Sequence, residues 1–153
     1  FKDIEFEITE SVVLENIETL ARYFAALRSL GFKISIDDFG SGNTALSFLK
    51  SLDVDIVKID KSLIDDAESS HKRRTMMKHI IAMSHELGME VVCEGVETRS
   101  QLDIVRSMGC DIVQGYLFAR PMPAESLAAW EASRGQSPVG RRIAETELRW
   151  RNA

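Results

Sequence analysis

Along residues 4–8 apolar and polar positions alternate: Ile4, Phe6 and Ile8 fall on one face, Glu5 and Glu7 on the other. That period of two predicts a strand covered on one side. Leu14, Ile17, Ala21, Phe24 and Leu27 then recur at helical spacing, predicting a helix over residues 14–29 that Gly31 closes. Alternation returns at Lys33–Asp37, with Ile34 and Ile36 opposed to Ser35 and Asp37, and a short helix is expected over Thr44–Ser51. Asp55–Asp60 reads as a third strand, with Val57 and Ile59 opposed to Lys58 and Asp60. A long helix over residues 71–87 stops at Gly88, and Met89–Glu94 forms a fourth strand. A helix over residues 98–108 ends at Gly109, Asp111–Tyr116 forms a fifth strand, and a last helix covers Ala124–Ala132.

Strands alternating with helices imply parallel strands joined by right-handed crossovers. The β-branched face of each strand should meet the helices. The other face carries Glu7, Asp37, Lys58, Glu94 and Gln114, each near the C-terminal end of its strand. In a (β/α)8 barrel the active site sits there. A doubly wound sheet also gathers polar residues at strand C-termini, but does not so readily turn one polar face of every strand toward a common centre. The expected fold is therefore α/β, a (β/α)8 TIM-like barrel, present as a partial barrel of about five βα units. A whole barrel takes about 250 residues and eight strands, and the remaining strands are expected before Phe1. Residues 1–134 form this domain, and 135–153 read as a linker and C-terminal tail carrying Arg141, Arg142, Arg149 and Arg151.

Charge and composition narrow the chemistry. The 153 residues include 24 acidic and 19 basic ones, for a net charge of −5. That balance disfavours a DNA or RNA polymer or a membrane surface as partner, while leaving room for a nucleotide bound through a metal. Hydrophobic content is 44%, ordinary for a globular domain. No apolar run approaches the ~20 residues of a membrane span, and no signal peptide is visible. Cys93 and Cys110 are far apart in sequence and form no CxxC, which suits a reduced, cytoplasmic setting; a parent protein could be membrane-anchored through upstream segments.

The densest chemistry lies at Asp37-Asp38-Phe39-Gly40-Ser41-Gly42. Two adjacent acids where a strand enters a glycine-rich loop repel each other, and a cation would relieve them. Such a pair also serves as a solvated turn or helix cap. With Glu7 and Glu94 on equivalent strand ends, metal binding is the better reading. A lone lysine in a strand usually reaches for the surface, but Lys58 lies between Val57 and Ile59, so its side chain is expected to point inward. Asp60 reads as a helix cap or a support for a ligand, and Glu10 as a helix-start residue. Gly40, Ser41 and Gly42 suit a mobile loop over a substrate. His71, His79 and His85 share one helix away from the strand ends and read as surface or packing residues. Met76, Met77 and Met83 read as core or partner-facing packing, and Cys93 as packed outward under a helix.

Five segments in order carry a resemblance: Glu7-Ile8-Thr9-Glu10-Ser11, Ile36–Gly42, Val57-Lys58-Ile59-Asp60-Lys61-Ser62, Glu94-Gly95-Val96-Glu97-Thr98 and Gln114–Pro121. The chain resembles the C-terminal three-fifths of the EAL-domain family of cyclic di-GMP phosphodiesterases. The resemblance implies a barrel that hydrolyses cyclic di-GMP to linear pGpG in bacterial second-messenger signalling, with a two-metal site of Mg2+ or Mn2+. It implies that Glu7 and Asp37 bind a first metal, that Asp37 bridges to a second held by Asp38, and that Glu94 lies in or near that shell. Lys58 would contact the attacking water or act in its deprotonation. Gln114 would orient water or substrate, and Glu97 would pin the Asp38–Asn43 loop. Gly40, Ser41, Gly42, Glu97 and Arg120 make up the substrate and loop set.

The family's EAL tripeptide and its Asn ligand are absent, Asn43 stands where the family more often has an aromatic residue, and Cys93 where it often has Ala. The chain alone is therefore expected to bind Mg2+ weakly and to turn over slowly or not at all. The alternative is an EAL-like cyclic di-GMP receptor or docking module without hydrolysis. Open sheet edges predict a homo-oligomer, and an upstream sensory or GGDEF-type domain is expected in the parent protein.

Overall fold

The computed structural model describes residues 4–15, 17–41 and 52–134. Its elements are β1 (Glu5–Thr9), α1 (Glu10–Glu15), α2 (Ile17–Ser29), β2 (Lys33–Phe39), β3 (Ile56–Ile59), α3 (Lys61–Ser69), α4 (His71–Glu86), β4 (Glu90–Cys93), α5 (Arg99–Ser107), β5 (Ile112–Val113) and α6 (Ala124–Arg134). The chain divides into two units, Phe1–Gln114 and Gly115–Ala153. The first contains the whole sheet with α1–α5; the second contains α6. The expected helix over Thr44–Ser51 and the tail from Gly135 onward lie outside the described residues.

All strand pairs are parallel, in the order β1-β2-β3-β4-β5. Neighbours in sequence are neighbours in space throughout. A doubly wound sheet reverses its order at a switch point, and this one does not, so the described sheet is part of a TIM-type α/β barrel.

Local chemistry explains the repeated strand entry. Helices α2, α4 and α5 end identically, at Gly31, Gly88 and Gly109. After α4, the Gly88 N–H donates to the His85 carbonyl and the Met89 N–H to the Ser84 carbonyl, each at 2.9 Å. This double bond pattern requires a left-handed residue, and Gly88 supplies it at φ +80. The next apolar residue, Phe32, Met89 or Cys110, turns back toward the helix, and the following strand begins within three residues. Two aspartates fasten the strand starts: Asp55 accepts from the Ile34 N–H at 2.9 Å, and Asp111 from the Val91 N–H at 2.8 Å.

The expected helix-facing residues Ile34, Ile36, Val57, Ile59, Val91 and Cys93 are all fully buried. Each such burial is worth about 1.5–3 kcal/mol for an aliphatic side chain. The opposite face is closed as well in the central strands, at Ser35, Ile56, Lys58 and Val92, as befits a parallel sheet. On the edge strand β1, Ile4 and Phe6 stay exposed, and Phe6 meets Phe32 edge-on at 5.1 Å between ring centres.

Several boundaries differ from expectation. Helix α3 is additional: Leu63, Ile64 and Ala67 form its buried stripe, and Asp60 caps it by accepting from the Ser62 N–H. It stays separate from α4 because Ser70, extended at φ −125, ends one helix and caps the next. The helix expected over residues 14–29 corresponds to the end of α1 and the whole of α2, with residue 16 between them outside the described residues, and the helical run begins earlier, at Glu10. The fifth strand is only Ile112–Val113 long. The cysteines, distant in sequence, meet in the core, where the hydrogen bond with Cys110 and then burial push the Cys93 thiol well up.

Candidate active site

Strands β1, β2, β3 and β4 each bring one charged side chain to a single point. Lys58, on β3, is nearly buried, between Val57 and Ile59. Its Nζ lies 2.8 Å from Glu7 Oε1, 2.9 Å from Glu94 Oε1 and 3.4 Å from Asp37 Oδ1. Burial alone would pull the lysine pKa down. The hydrogen bonds with Glu7 and Glu94 and the charges of Glu94 and Asp37 outweigh it, so the pKa lies well above the ordinary lysine value. Lys58 is an ammonium throughout the physiological range.

Asp38 lies in an irregularity of β2 that alternation does not anticipate. In a regular strand Asp37 and Asp38 would point to opposite faces. Here Ile36 pairs with Val57 and Phe39 with Ile59, so β2 carries one residue more than β3 across the same stretch. That is a β-bulge. Asp38 takes the left-handed conformation at φ +56, the only non-glycine to do so among the described residues, and its N–H donates to Asp37 Oδ1 at 3.0 Å. Aspartate tolerates this conformation better than most residues. Partial burial, then the charges of Asp37 and Asp60, raise the Asp38 pKa, with Lys58 opposing.

Three carboxylates thus face one ammonium, with Asp38 adjoining Asp37 in the chain, a surplus of negative oxygen donors of the kind hard divalent cations take. Among the described residues no three such groups close on one point at metal-bonding distance; the carboxylates gather on Lys58. The donor chemistry fits a Mg2+ or Mn2+ ion, and Glu7, Asp37, Asp38 and Glu94 are the residues that would hold it.

The other expected residues are distributed as follows. Gly40 and Ser41 continue the turn after Asp38: the Ser41 N–H donates to the Asp38 carbonyl at 3.1 Å, and the Gly40 N–H to Glu10 Oε2 at 3.1 Å. Glu10, read from sequence as a helix start, does begin α1, but it is also buried and fastens this turn. No sequence signal marks that second role, because it depends on α1 packing beside the end of β2. Glu97, expected to hold the same turn, accepts from Lys61 Nζ at 2.6 Å. The Gln114 backbone bonds to Cys93 and Val96, the residues on either side of Glu94-Gly95. Arg120 belongs to the second unit, where its guanidinium stacks 4.5 Å from the Tyr116 ring centre. Gly42 lies outside the described residues. The histidines take no part in the site; His85 pairs with Asp111 at 2.7 Å.

Known proteins match both the sequence and this geometry. The sequence pattern of the EAL domain matches residues 1–121. The chain is 43% identical over 124 residues to the cyclic di-GMP phosphodiesterase NbdA of Pseudomonas aeruginosa, covering 81% of this chain and 16% of that protein. The crystal structure of the EAL domain of Mycobacterium smegmatis DcpA superposes with a TM-score of 0.79 at 36% identity, over 86% of this chain and 59% of that one. Klebsiella pneumoniae BlrP1, in a manganese and cyclic di-GMP complex, superposes with a TM-score of 0.74 at 34% identity, over 78% of this chain and 31% of that one. The chain thus spans about one-sixth of NbdA's length and three-fifths of the DcpA chain. The ordered motifs and the sequential parallel sheet agree with these likenesses: the chain belongs to the EAL domain family.

Proposed function

We propose that this chain forms most of the catalytic domain of a divalent-metal-dependent phosphodiesterase that hydrolyses one ester bond of cyclic di-GMP, giving linear pGpG. The observation that carries this reading is the convergence of Glu7, Asp37 and Glu94 on the Lys58 ammonium, with Asp38 at the bulge that follows Asp37. The NbdA and BlrP1 likenesses support this substrate and class of ion.

Glu7, Asp37, Asp38 and Glu94 would hold Mg2+ or Mn2+, which when bound lowers the pKa of coordinated water and offsets charge on phosphate oxygens. The residues divide the remaining work. Held protonated, Lys58 is a donor, suited to orienting the attacking water or to stabilising a non-bridging phosphate oxygen. Glu94, hydrogen-bonded to Lys58 at 2.9 Å, is the acceptor for the water proton. Gln114 orients water or substrate, and Gly40, Ser41 and Glu97 shape the substrate side. Water adds to phosphorus, the ring ester P–O bond breaks, and the leaving oxygen takes up a proton. We place the reaction in the cytoplasm, in a longer protein with sensory or GGDEF-type neighbours.

The test is chromatographic assay of cyclic di-GMP hydrolysis in Mg2+ and in Mn2+ by the full-length protein. Turnover that Asp38→Asn abolishes is expected. Binding of cyclic di-GMP without turnover in either metal would overturn the enzyme reading and favour a receptor.

A further inference from the structure

Glu94 directly follows β4 and opens the loop Glu94–Thr98, so its aim depends on what holds that loop. One face of α3 does most of the holding. Lys61, Asp65 and Glu68 are spaced i, i+4, i+7 and share that face. Lys61 Nζ donates to Glu97 Oε1 at 2.6 Å, Gln101 Nε2 donates to Asp65 Oδ1 at 2.8 Å, and Thr98 Oγ1 donates to Glu68 Oε1 at 3.3 Å. Gln101 Oε1 in turn accepts from the N–H groups of Glu97 and Thr98 at 2.8 and 3.0 Å, closing a capping box at the start of α5.

The decisive contact is beneath Lys61. Its aliphatic stem lies across Gly95, the residue next to Glu94. A Cβ at Gly95 would fall 2.6 Å from Lys61 Cβ and 2.7 Å from its Cγ, and Gly95 adopts φ +70. The loop backbone is therefore seated directly against the lysine stem. Leu63, in the same turn of α3, covers Gly40, two residues after Asp38, just as closely. The first turn of α3 rests on the glycine that follows each acidic strand end.

Resting on the phosphodiesterase reading, we propose that Lys61 is a positioning residue for Glu94: its stem sets the height of the loop at Gly95 and its ammonium holds the far side through Glu97. An exposed ion pair alone would do little, since the Lys61 and Glu97 side chains are 42% and 41% exposed. The seating on Gly95 is what couples the pair to the ligand. In this role Lys61 acts through the loop.

The experiment compares Lys61→Met, which keeps most of the stem, with Lys61→Ala, which removes it, in the full-length protein. Mn2+ affinity by electron paramagnetic resonance, steady-state kinetics and amide exchange are read together. Lys61→Ala is expected to lower kcat about tenfold with KM within about twofold, as a small misplacement of a reacting group does. Its Mn2+ affinity should fall and its Tm should barely move, with Lys61→Met intermediate. Gly95→Ala should lower kcat as well, and Gly95→Ala with Lys61→Gly should recover part of that loss, because the nearest overlapping atom is the Lys61 Cβ, which alanine would keep. Wild-type kcat and Mn2+ affinity in both Lys61 variants, or no recovery in the double variant, would overturn the proposal. If the unaltered protein neither binds Mn2+ nor hydrolyses the substrate, the phosphodiesterase reading fails and exchange alone judges Lys61. Exchange at Val96 and Glu97 about two- to fivefold faster in Lys61→Ala supports the seating, and unchanged exchange overturns it.

Discussion

Asp38 shows how a single residue can be unfavourable for the fold and required by the site. Its pKa is raised, by partial burial and then by Asp37 and Asp60. An acid that is harder to ionise when folded costs stability wherever it is ionised, above its ordinary value of 3.8, and that cost fades as the pH falls toward it. Asp38→Asn should therefore raise Tm slightly at neutral pH in metal-free buffer while abolishing turnover, a trade seen where function holds like charges together. Asn also tolerates φ +56. Asp38→Ala should lose that gain, because a left-handed alanine costs about 1–2 kcal/mol. Lys58 has the opposite sign. Its raised pKa means that its contribution is complete below the ordinary value of 10.5 and is lost only as the pH climbs through the higher folded value. Lys58→Met should destabilise by about 1–3 kcal/mol, leaving Glu7, Asp37 and Glu94 without their ammonium. The deficit measured by urea unfolding should stay level between about pH 7 and pH 10 and narrow only beyond. A deficit that narrows steadily across that window would contradict the assignment.

Among the elements, the three glycine-closed helices and the bulged strand are the working parts. A Cβ at Gly88 would meet nothing within 4 Å, so Gly88→Ala tests backbone conformation alone and should cost about 1–2 kcal/mol. Gly40→Ala adds a collision with the Leu63 side chain to the same conformational penalty at φ +93. It should cost more, and it should also reduce turnover, because the Gly40 N–H anchors the Asp38 turn on Glu10. Thermal unfolding of the two variants, with activity measured alongside, separates the effects; equal losses in both would show that Leu63 yields. The bulge is the element that alternation could not foresee. A period of two assigns Asp37 inward and Asp38 outward, and it does not record the extra residue between the Ile36 and Phe39 pairings. Helix α3 was hidden for a related reason. Its nine residues, with one short stripe of Leu63, Ile64 and Ala67, lie between a strand and a much longer helical pattern.

For the whole molecule, the sheet order predicts association. Within the described residues β1 pairs only with β2 and β5 only with β4, leaving one side of each open, and Ile4, Phe6 and Ile112 stay exposed beside those edges. Unpaired edges with apolar neighbours recruit further strands. Light scattering on the chain is expected to give a mass above that of one copy, and a monodisperse monomer with a cooperative melt would contradict this. The sequence by itself determined the βα alternation, the glycine stops, the polar strand ends and the residues Glu7, Asp37, Lys58 and Glu94, because these follow from period, composition and motif order, which are local. Only the tertiary structure decided that the strands run in unreversed order, that Lys58 is the hub on which three carboxylates meet, that Glu10 anchors the Asp38 turn and that Lys61 is seated on Gly95. Each of these joins residues at least 20 positions apart, and such pairings are set by how elements pack in three dimensions, which no pattern along the chain records.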